Sequence, residues 1–299
     1  MRIVVLGAGA IGSIYAAKLS TKHEVTVLAR GAHADAINRA GLRLIGLEPA
    51  TCAVKAVTST ADLPDSDLFL LTTKVNDNAS VASGLADRVR NACTILCVQN
   101  GLGGEEIVKR ALGSRALVLR AVTHFGGIFV EPGVVDFKVK GYTLVERAAG
   151  SEELAALLTD CGLAARLSES ITHDVWRKLL FNCVINPVTA IISSDVGTIA
   201  DPRLDAIKRP IIDECLAVAR ADGVTFDMDF MTALEEIFGR SRNIASMRQD
   251  LMRGKPTEID FMNGAVVDLG RRFGLECPVN AAVVALVKAL ERSAAHRTA

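Results

Sequence analysis

Arg2-Ile3-Val4-Val5-Leu6-Gly7-Ala8-Gly9-Ala10-Ile11-Gly12 joins a short β-branched run to three glycines spaced G-x-G-x-x-G. Residues 13–20 then read as a helix. In such a strand–loop–helix unit the first glycine permits a tight turn. The second lets the backbone approach a pyrophosphate, and the third lets helix and strand pack closely. Backbone N–H groups of Gly7, Ala8, Gly9, Ala10, Ile11 and Gly12 at the start of a helix favour an anion. Its place between strand and helix makes the motif specific for a dinucleotide. The alternative is a tight turn without ligand. Arg2 and the apolar run also resemble a secretory leader, but the glycine spacing accounts for that stretch better.

Outward from this loop, residues 25–28, 67–72, 94–98 and 117–123 are apolar runs of strand length, and 76–90 reads as a helix. Apolar runs separated by helical stretches suit strands covered on both faces in a parallel sheet. Glu131-Pro132-Gly133 marks a turn between 128–130 and 134–139, read as an antiparallel hairpin appended to that sheet. Ser151 is expected to cap a helix ending at Asp160, with Gly162 just beyond it. Past residue 167 strand signals nearly vanish. Apolar-periodic segments follow at 171–192, 203–222, 229–238, 257–273 and 281–293. The expected division is therefore an α/β domain, 1–168, and an all-α domain, 169–299.

The 299 residues carry 34 basic and 34 acidic side chains, a formal net charge of zero. Phosphate contacts need clustered basic charge, and aromatics at 4% give few stacking platforms, so nucleic acid is not an expected partner. Half the residues are hydrophobic, as in a folded globular chain. No run of ~18 uncharged apolar residues marks a membrane span. The seven cysteines are odd in number, scattered and without a CxxC pair, which leaves no metal or disulfide framework and makes the cytoplasm the default compartment.

A site selective for NAD usually has Asp or Glu at the end of the second strand, on the ribose 2′-hydroxyl. Here Val27-Leu28-Ala29-Arg30 has no acid, and Arg30 is available for a 2′-phosphate, which favours NADP(H). A solvated surface arginine is the plainer reading. Lys74 and Asn100-Gly101 each follow a strand end, where ligands bind in such sheets. Asn-Gly is equally an ordinary turn.

In 176–191, Lys178, Asn182 and Asn186 are spaced four and four, a polar stripe on an otherwise apolar helix. Buried lysine and amide groups are costly without partners. A cleft presenting them could bind a small keto acid and donate a proton to its carbonyl. The other reading has Lys178 snorkelling to solvent and the asparagines satisfying loops. Pro187 interrupts the backbone ladder near the end of the stripe. Asn243 and Ser246, three apart, could share a helical face. Glu258 follows Thr257, an expected helix N-cap paired with Asp260. Helix-end electrostatics alone account for Glu258.

These motifs occur together in one order: the glycine loop, Lys74, Asn100-Gly101, Trp-Arg-Lys…Asn-x-x-x-Asn-Pro-x-Thr-Ala, Asn-x-x-Ser-Met and Thr-Glu-Ile-Asp-x-x-Asn-Gly. Over nearly the whole chain the sequence resembles the ketopantoate reductase (2-dehydropantoate 2-reductase) family. The resemblance implies a Rossmann domain followed by a helical domain. It implies NADPH-dependent reduction of 2-dehydropantoate to (R)-pantoate, toward pantothenate and coenzyme A. Lys178 would be the general acid. Glu258 would hold the substrate hydroxyl and help order the site, cofactor included. Asn182, Asn186, Asn243 and Ser246 would position the substrate, with Ser246 near its carboxylate. Asn100 would bridge cofactor and substrate, and Gly7, Gly9, Gly12, Arg30 and Lys74 would hold NADPH. Gln99 departs from the pattern, which admits His there. A reductase of another 2-oxo acid, and a non-catalytic NADP(H) sensor, are the competing functions. Lys178 and Glu258 together speak against the sensor. Segment 281–293 could pack internally or against a second copy in a homodimer.

Overall fold

The computed structural model describes residues 1–86, 88–89 and 93–298, without the side chains of 295–298. Its strands are β1 (Arg2–Leu6), β2 (Glu24–Leu28), β3 (Leu42–Gly46), β4 (Ala50–Cys52), β5 (Lys55–Val57) and β6 (Leu68–Leu71), followed by β7 (Cys93–Cys97), β8 (Ala116–Thr123), β9 (Gly126–Glu131), β10 (Val134–Val139), β11 (Thr143–Val145) and β12 (Ala165–Leu167). Helices α1 (Ala10–Leu19), α2 (Gly31–Ala40), α3 (Asn78–Leu85), α4 (Gly104–Leu112) and α5 (Ser151–Asp160) accompany them. Then come α6 (Ile171–Ile191), α7 (Asp205–Ala221), α8 (Phe230–Phe238), α9 (Ser246–Met252), α10 (Asn263–Arg272) and α11 (Pro278–Thr298). The chain forms two compact units: Met1–Gln99 with Gly104–Ile171, and Asn100–Gly103 with Thr172–Ala299.

The first unit is α/β. Its main sheet runs β12-β11-β8-β7-β6-β1-β2-β5, and β1, β2, β5, β6, β7 and β8 are parallel. From β5 inward this is the Rossmann strand order, reversing between β1 and β6. Ile3 and Val5 enter one apolar cluster, and Val4 and Leu6 another, on the opposite face. Burial on both faces explains why the strands read as unbroken apolar runs. Helix α1 is buried from Gly12 to Leu19, because it also packs on β3, β9 and β10 of a second sheet, order β4-β3-β10-β9.

That second sheet corrects the expected hairpin. β9 and β10 do pair antiparallel, but β10 pairs in parallel with β3 and not with the main sheet. Strand β3 alternates buried Leu42 and Leu44 with exposed Arg43, too short a pattern to stand out. Helix α2 was likewise unsignalled, since its buried face is His33, Ala34, Ala36 and Ile37. The segment 76–90 becomes a 3₁₀ turn, Val75–Asp77, and then α3, and its expected end at Arg90 lies outside the described residues. Ser151 is the first residue of α5 and not its cap; its Oγ donates to Glu146 O at 2.7 Å, and left-handed Gly150 turns the chain in.

The second unit is all helical around one apolar cluster. Helix α6 is its axis. It buries Trp176, Leu179, Leu180, Cys183 and Val184, and Trp176 Nε1 donates to Asp222 Oδ2 at 2.8 Å. Phe181 packs on Phe230 and Phe238, with ring centroids 5.1 and 5.3 Å apart. The expected helix 257–273 is two pieces. A 3₁₀ turn, Ile259–Phe261, is cut from α10 by Met262 at φ −109° and ψ −103°. Thr257 Oγ1 accepts from Ile259 N at 3.3 Å, as a cap should, but Asp260 pairs with Lys288 instead of completing a capping box. No helix among the described residues is long and apolar enough to cross a membrane.

Candidate active site

In the first unit the candidate residues gather at the C-terminal ends of β1, β2 and β6. The three glycines do three different things. Gly7 turns at φ +103°, and an added Cβ there would lie 2.7 Å from Thr73 N. A Cβ on Gly12 would overlap Gly7 O and Thr72 Oγ1. Thr72 Oγ1 donates to Gly7 O at 2.7 Å, so this hydroxyl fixes the turn. Gly9 alone faces open space. The N–H groups of Gly7 and Ala8 are both engaged by Leu28 O, at 3.1 and 3.2 Å. The donors left for an anion therefore start at Gly9 and continue through Ala10, Ile11 and Gly12, whose amides begin α1 and have no carbonyl one turn back within it. No acid in the first turn of α1 opposes its positive pole.

Ala8 O is held from two sides, by Ser13 Oγ at 3.1 Å and by His33 Nε2 at 2.8 Å. Gly133 N donates to His33 Nδ1 at 2.8 Å, which makes Nε2 the protonated nitrogen and the donor to Ala8 O. The buried imidazole thus ties the nucleotide loop to the β9–β10 turn. At the end of β2, Arg30 is 87% exposed at its side chain and pairs with Asp77 at 2.8 Å. Asp77 stands three residues after half-buried Lys74, so the two expected phosphate contacts follow the ends of β2 and β6, the strands on either side of β1. Gln99, after β7, is buried. Its Nε2 donates to Thr73 O and Asn78 Oδ1, each at 2.6 Å, and its Oε1 accepts from Asn78 Nδ2 at 2.9 Å. The sequence pattern alone gives no role to Gln99, Thr72, Asn78 or His33. The Thr-Thr step after a strand end was the one available signal.

In the second unit, Lys178 and Asn182 are half-buried on α6 and one turn apart. Asn186, the next turn, is buried, and its Nδ2 donates to Met262 Sδ at 3.4 Å. Segment Asn100–Gly103 belongs here. Leu102 N donates to Phe261 O at 3.0 Å, and Gly101, at φ +82°, leaves room only for that carbonyl. Asn100 is thereby carried to the turn that directly follows half-buried Glu258. Asn243 and Ser246 are both exposed, but they do not share a helix. Ser246 starts α9, and Asn243 precedes it in a loop where its carbonyl accepts from Val196 N at 2.8 Å.

Residues 3–150 match the family described as "Ketopantoate reductase PanE/ApbA", and residues 170–291 match its C-terminal counterpart. The chain belongs to the ketopantoate reductase family. It stands among oxidoreductases that work with a nicotinamide dinucleotide. A 2-dehydropantoate 2-reductase of Pyrococcus horikoshii is 37% identical, over 97% of this chain and 98% of that one. The crystal structure of a PanE/ApbA family ketopantoate reductase from Ralstonia eutropha JMP134 superposes with a TM-score of 0.91 at 31% identity, covering 98% of this chain and 99% of that one. A D-mandelate dehydrogenase solved with NADH has a TM-score of 0.89 at 25% identity, covering 98% and 99%. The residues present fit a dinucleotide: a Cβ-free cradle at Gly9, unopposed amides at the start of α1 and an exposed guanidinium at Arg30.

Proposed function

We propose that this chain reduces 2-dehydropantoate to (R)-pantoate with NADPH, a step toward pantothenate and coenzyme A. The observation that carries the reading is the meeting of Asn100–Leu102 with the turn after Glu258, two motifs far apart in sequence. Gly9, Ala10, Ile11 and Gly12 would hold the pyrophosphate on their amides, and Arg30 and Lys74 the 2′-phosphate end. Gly7 supports them by shaping the loop, as does Ala8. When bound, the cofactor would supply the hydride that reduces the keto carbon. As that carbon is reduced, Lys178 donates the proton that the carbonyl oxygen needs. Glu258 accepts from the substrate hydroxyl and helps order the cofactor end. Asn182, Asn243 and Ser246 orient the remaining polar groups, Ser246 at the carboxylate. Asn186 acts from a buried position. Asn100 bridges substrate and cofactor. A small 2-oxo acid is the only partner this chemistry needs, and the cytoplasm is the compartment in keeping with seven free thiols.

Reduction of another 2-oxo acid is the second reading, favoured by the likeness to D-mandelate dehydrogenase. Fold alone does not choose between them. The experiment is NADPH oxidation with ketopantoate, pyruvate, 2-oxoisovalerate, oxaloacetate and phenylglyoxylate. Ketopantoate is expected to be fastest, and comparable rates across the panel defeat the specific assignment. No turnover on any of them would leave the sensor reading. Lys178→Ala should lower kcat ~10²–10⁴-fold while NADPH still binds, and full activity removes Lys178 as the acid.

A further inference from the structure

Pro187 lies inside α6 and carries no N–H. The carbonyl four residues back, Cys183 O, therefore loses the donor that an α-helix normally offers it. Asn263 Nδ2 reaches it at 2.9 Å. Asn263 is fully buried, at the start of α10. The same nitrogen donates to Asn280 Oδ1 at 2.8 Å, and Asn280 Nδ2 in turn donates to Glu214 Oε2 at 2.7 Å. Glu214 also accepts from the backbone of Val279 and Asn280 at 2.8 and 2.9 Å, which fixes it at the start of α11. Two acceptors on one nitrogen settle the orientation of the Asn263 amide. Its Oδ1 meanwhile has no hydrogen-bond partner among the described residues. A buried oxygen left unpaired is costly, so the donor side is what holds this residue in place.

We propose that Asn263 is a positioning residue for the reaction: it supplies the hydrogen bond that Pro187 removes and so sets the part of α6 that carries Asn182. Asn182 is the neighbour of Cys183. Met262, the neighbour of Asn263, takes the Asn186 amide. Two adjacent residues of the Thr-Glu-Ile-Asp-x-x-Asn-Gly motif therefore grip α6 within the turn that precedes the proline. Without them the Lys178–Asn182–Asn186 stripe would lose its fixed register against the 259–261 turn. The inference rests on the stripe being the substrate side of the site.

The test is a double-mutant cycle with Pro187→Ala, which restores an N–H able to reach Cys183 O. Asn263→Ala alone is expected to raise KM for ketopantoate at least tenfold and to speed amide hydrogen exchange in 183–191, with the Kd for NADPH unchanged by fluorescence titration. Adding Pro187→Ala should recover most of both losses, because the helix then supplies its own donor. Additive losses in the double variant overturn the proposal, as do wild-type KM and exchange in Asn263→Ala. If Asn263→Ala does not fold, recovery of folding and exchange protection in the double variant supports the proposal, and no recovery overturns it. The exchange measurement needs no substrate. A wrong substrate assignment would therefore show as a slow wild-type enzyme with the exchange coupling intact.

Discussion

Alanine at Gly9 and alanine at Gly12 should fail in opposite ways. Gly9 is the N-cap of α1 at φ −69° and ψ −169°, a backbone that alanine adopts, and an added Cβ meets nothing within 4 Å. Losing glycine at an N-cap costs about 0.5–1 kcal/mol. Restricting the unfolded chain returns about 0.4–1 kcal/mol. Apo Gly9→Ala should therefore unfold within about 1 kcal/mol of the parent. Binding is another matter, because the pyrophosphate proposed for this loop would approach the backbone through the open space at Gly9. A tenfold weaker Kd is ~1.4 kcal/mol. At NADPH fixed at a hundred times the parent Kd, ligand stabilisation is ~2.7 kcal/mol for the parent and ~1.4 kcal/mol for the variant. In Gly12→Ala the Cβ would overlap Gly7 O and Thr72 Oγ1, with backbone on one side, so the apo protein should lose ~3 kcal/mol or more. Thermal unfolding with and without NADPH, together with a fluorescence titration, reads each of these quantities. Parent-like NADPH affinity in Gly9→Ala would refute the pyrophosphate cradle. Parent-like apo stability in Gly12→Ala would refute the packing role.

Two further outcomes follow from the same geometry. The exposed Arg30–Asp77 pair is worth only ~0–1 kcal/mol, so a 2′-phosphate can draw Arg30 away. Arg30→Ala should weaken NADPH about tenfold or more and NADH far less, since charge-assisted hydrogen bonds contribute ~1.5–3 kcal/mol; equal weakening in parallel titrations sinks this role. Of the seven free cysteines Cys52 alone is not fully buried, and burial pushes the Cys97 thiol up to about 12 and Cys277 to about 11. A thiol reagent at neutral pH should therefore label Cys52 first and the other six only on unfolding. Equal rates at all seven would contradict the packing.

Much of this was legible because it is periodic or obligatory. Apolar strands buried on both faces, the G-x-G-x-x-G step and the long apolar span of α6 announce themselves at short range. Helix α2 and strands β3 to β5 did not. Their buried faces are short and mixed, His33, Ala34, Ala36 and Ile37 on α2, Leu42 and Leu44 on β3, Ala56 and Val57 on β5, and β3 and β4 gain meaning only once α1 has a second sheet to cover. The break at Met262 was also unreadable, since Thr257 does cap a turn and nothing local ends it after one. Their spacing lets Asn243 and Ser246 share a helical face, but the helix begins only at Ser246.

By itself, then, the sequence determined the α/β and helical composition and the glycine loop between strand and helix, because each is set by neighbours within one turn or one strand, and it marked Arg30, Lys74 and the stripe headed by Lys178 as candidates. Tertiary structure decided the rest. It engaged the Gly7 and Ala8 amides with Leu28 and left Gly9 open. It locked His33 between Ala8 and Gly133 and carried Asn100 to the turn after Glu258. It brought Asn263 to the carbonyl whose usual helical donor Pro187 removes. Those are contacts across long stretches of chain. Backbone groups with a fixed need for partners find them in space, and a linear pattern does not show which distant side chain will arrive.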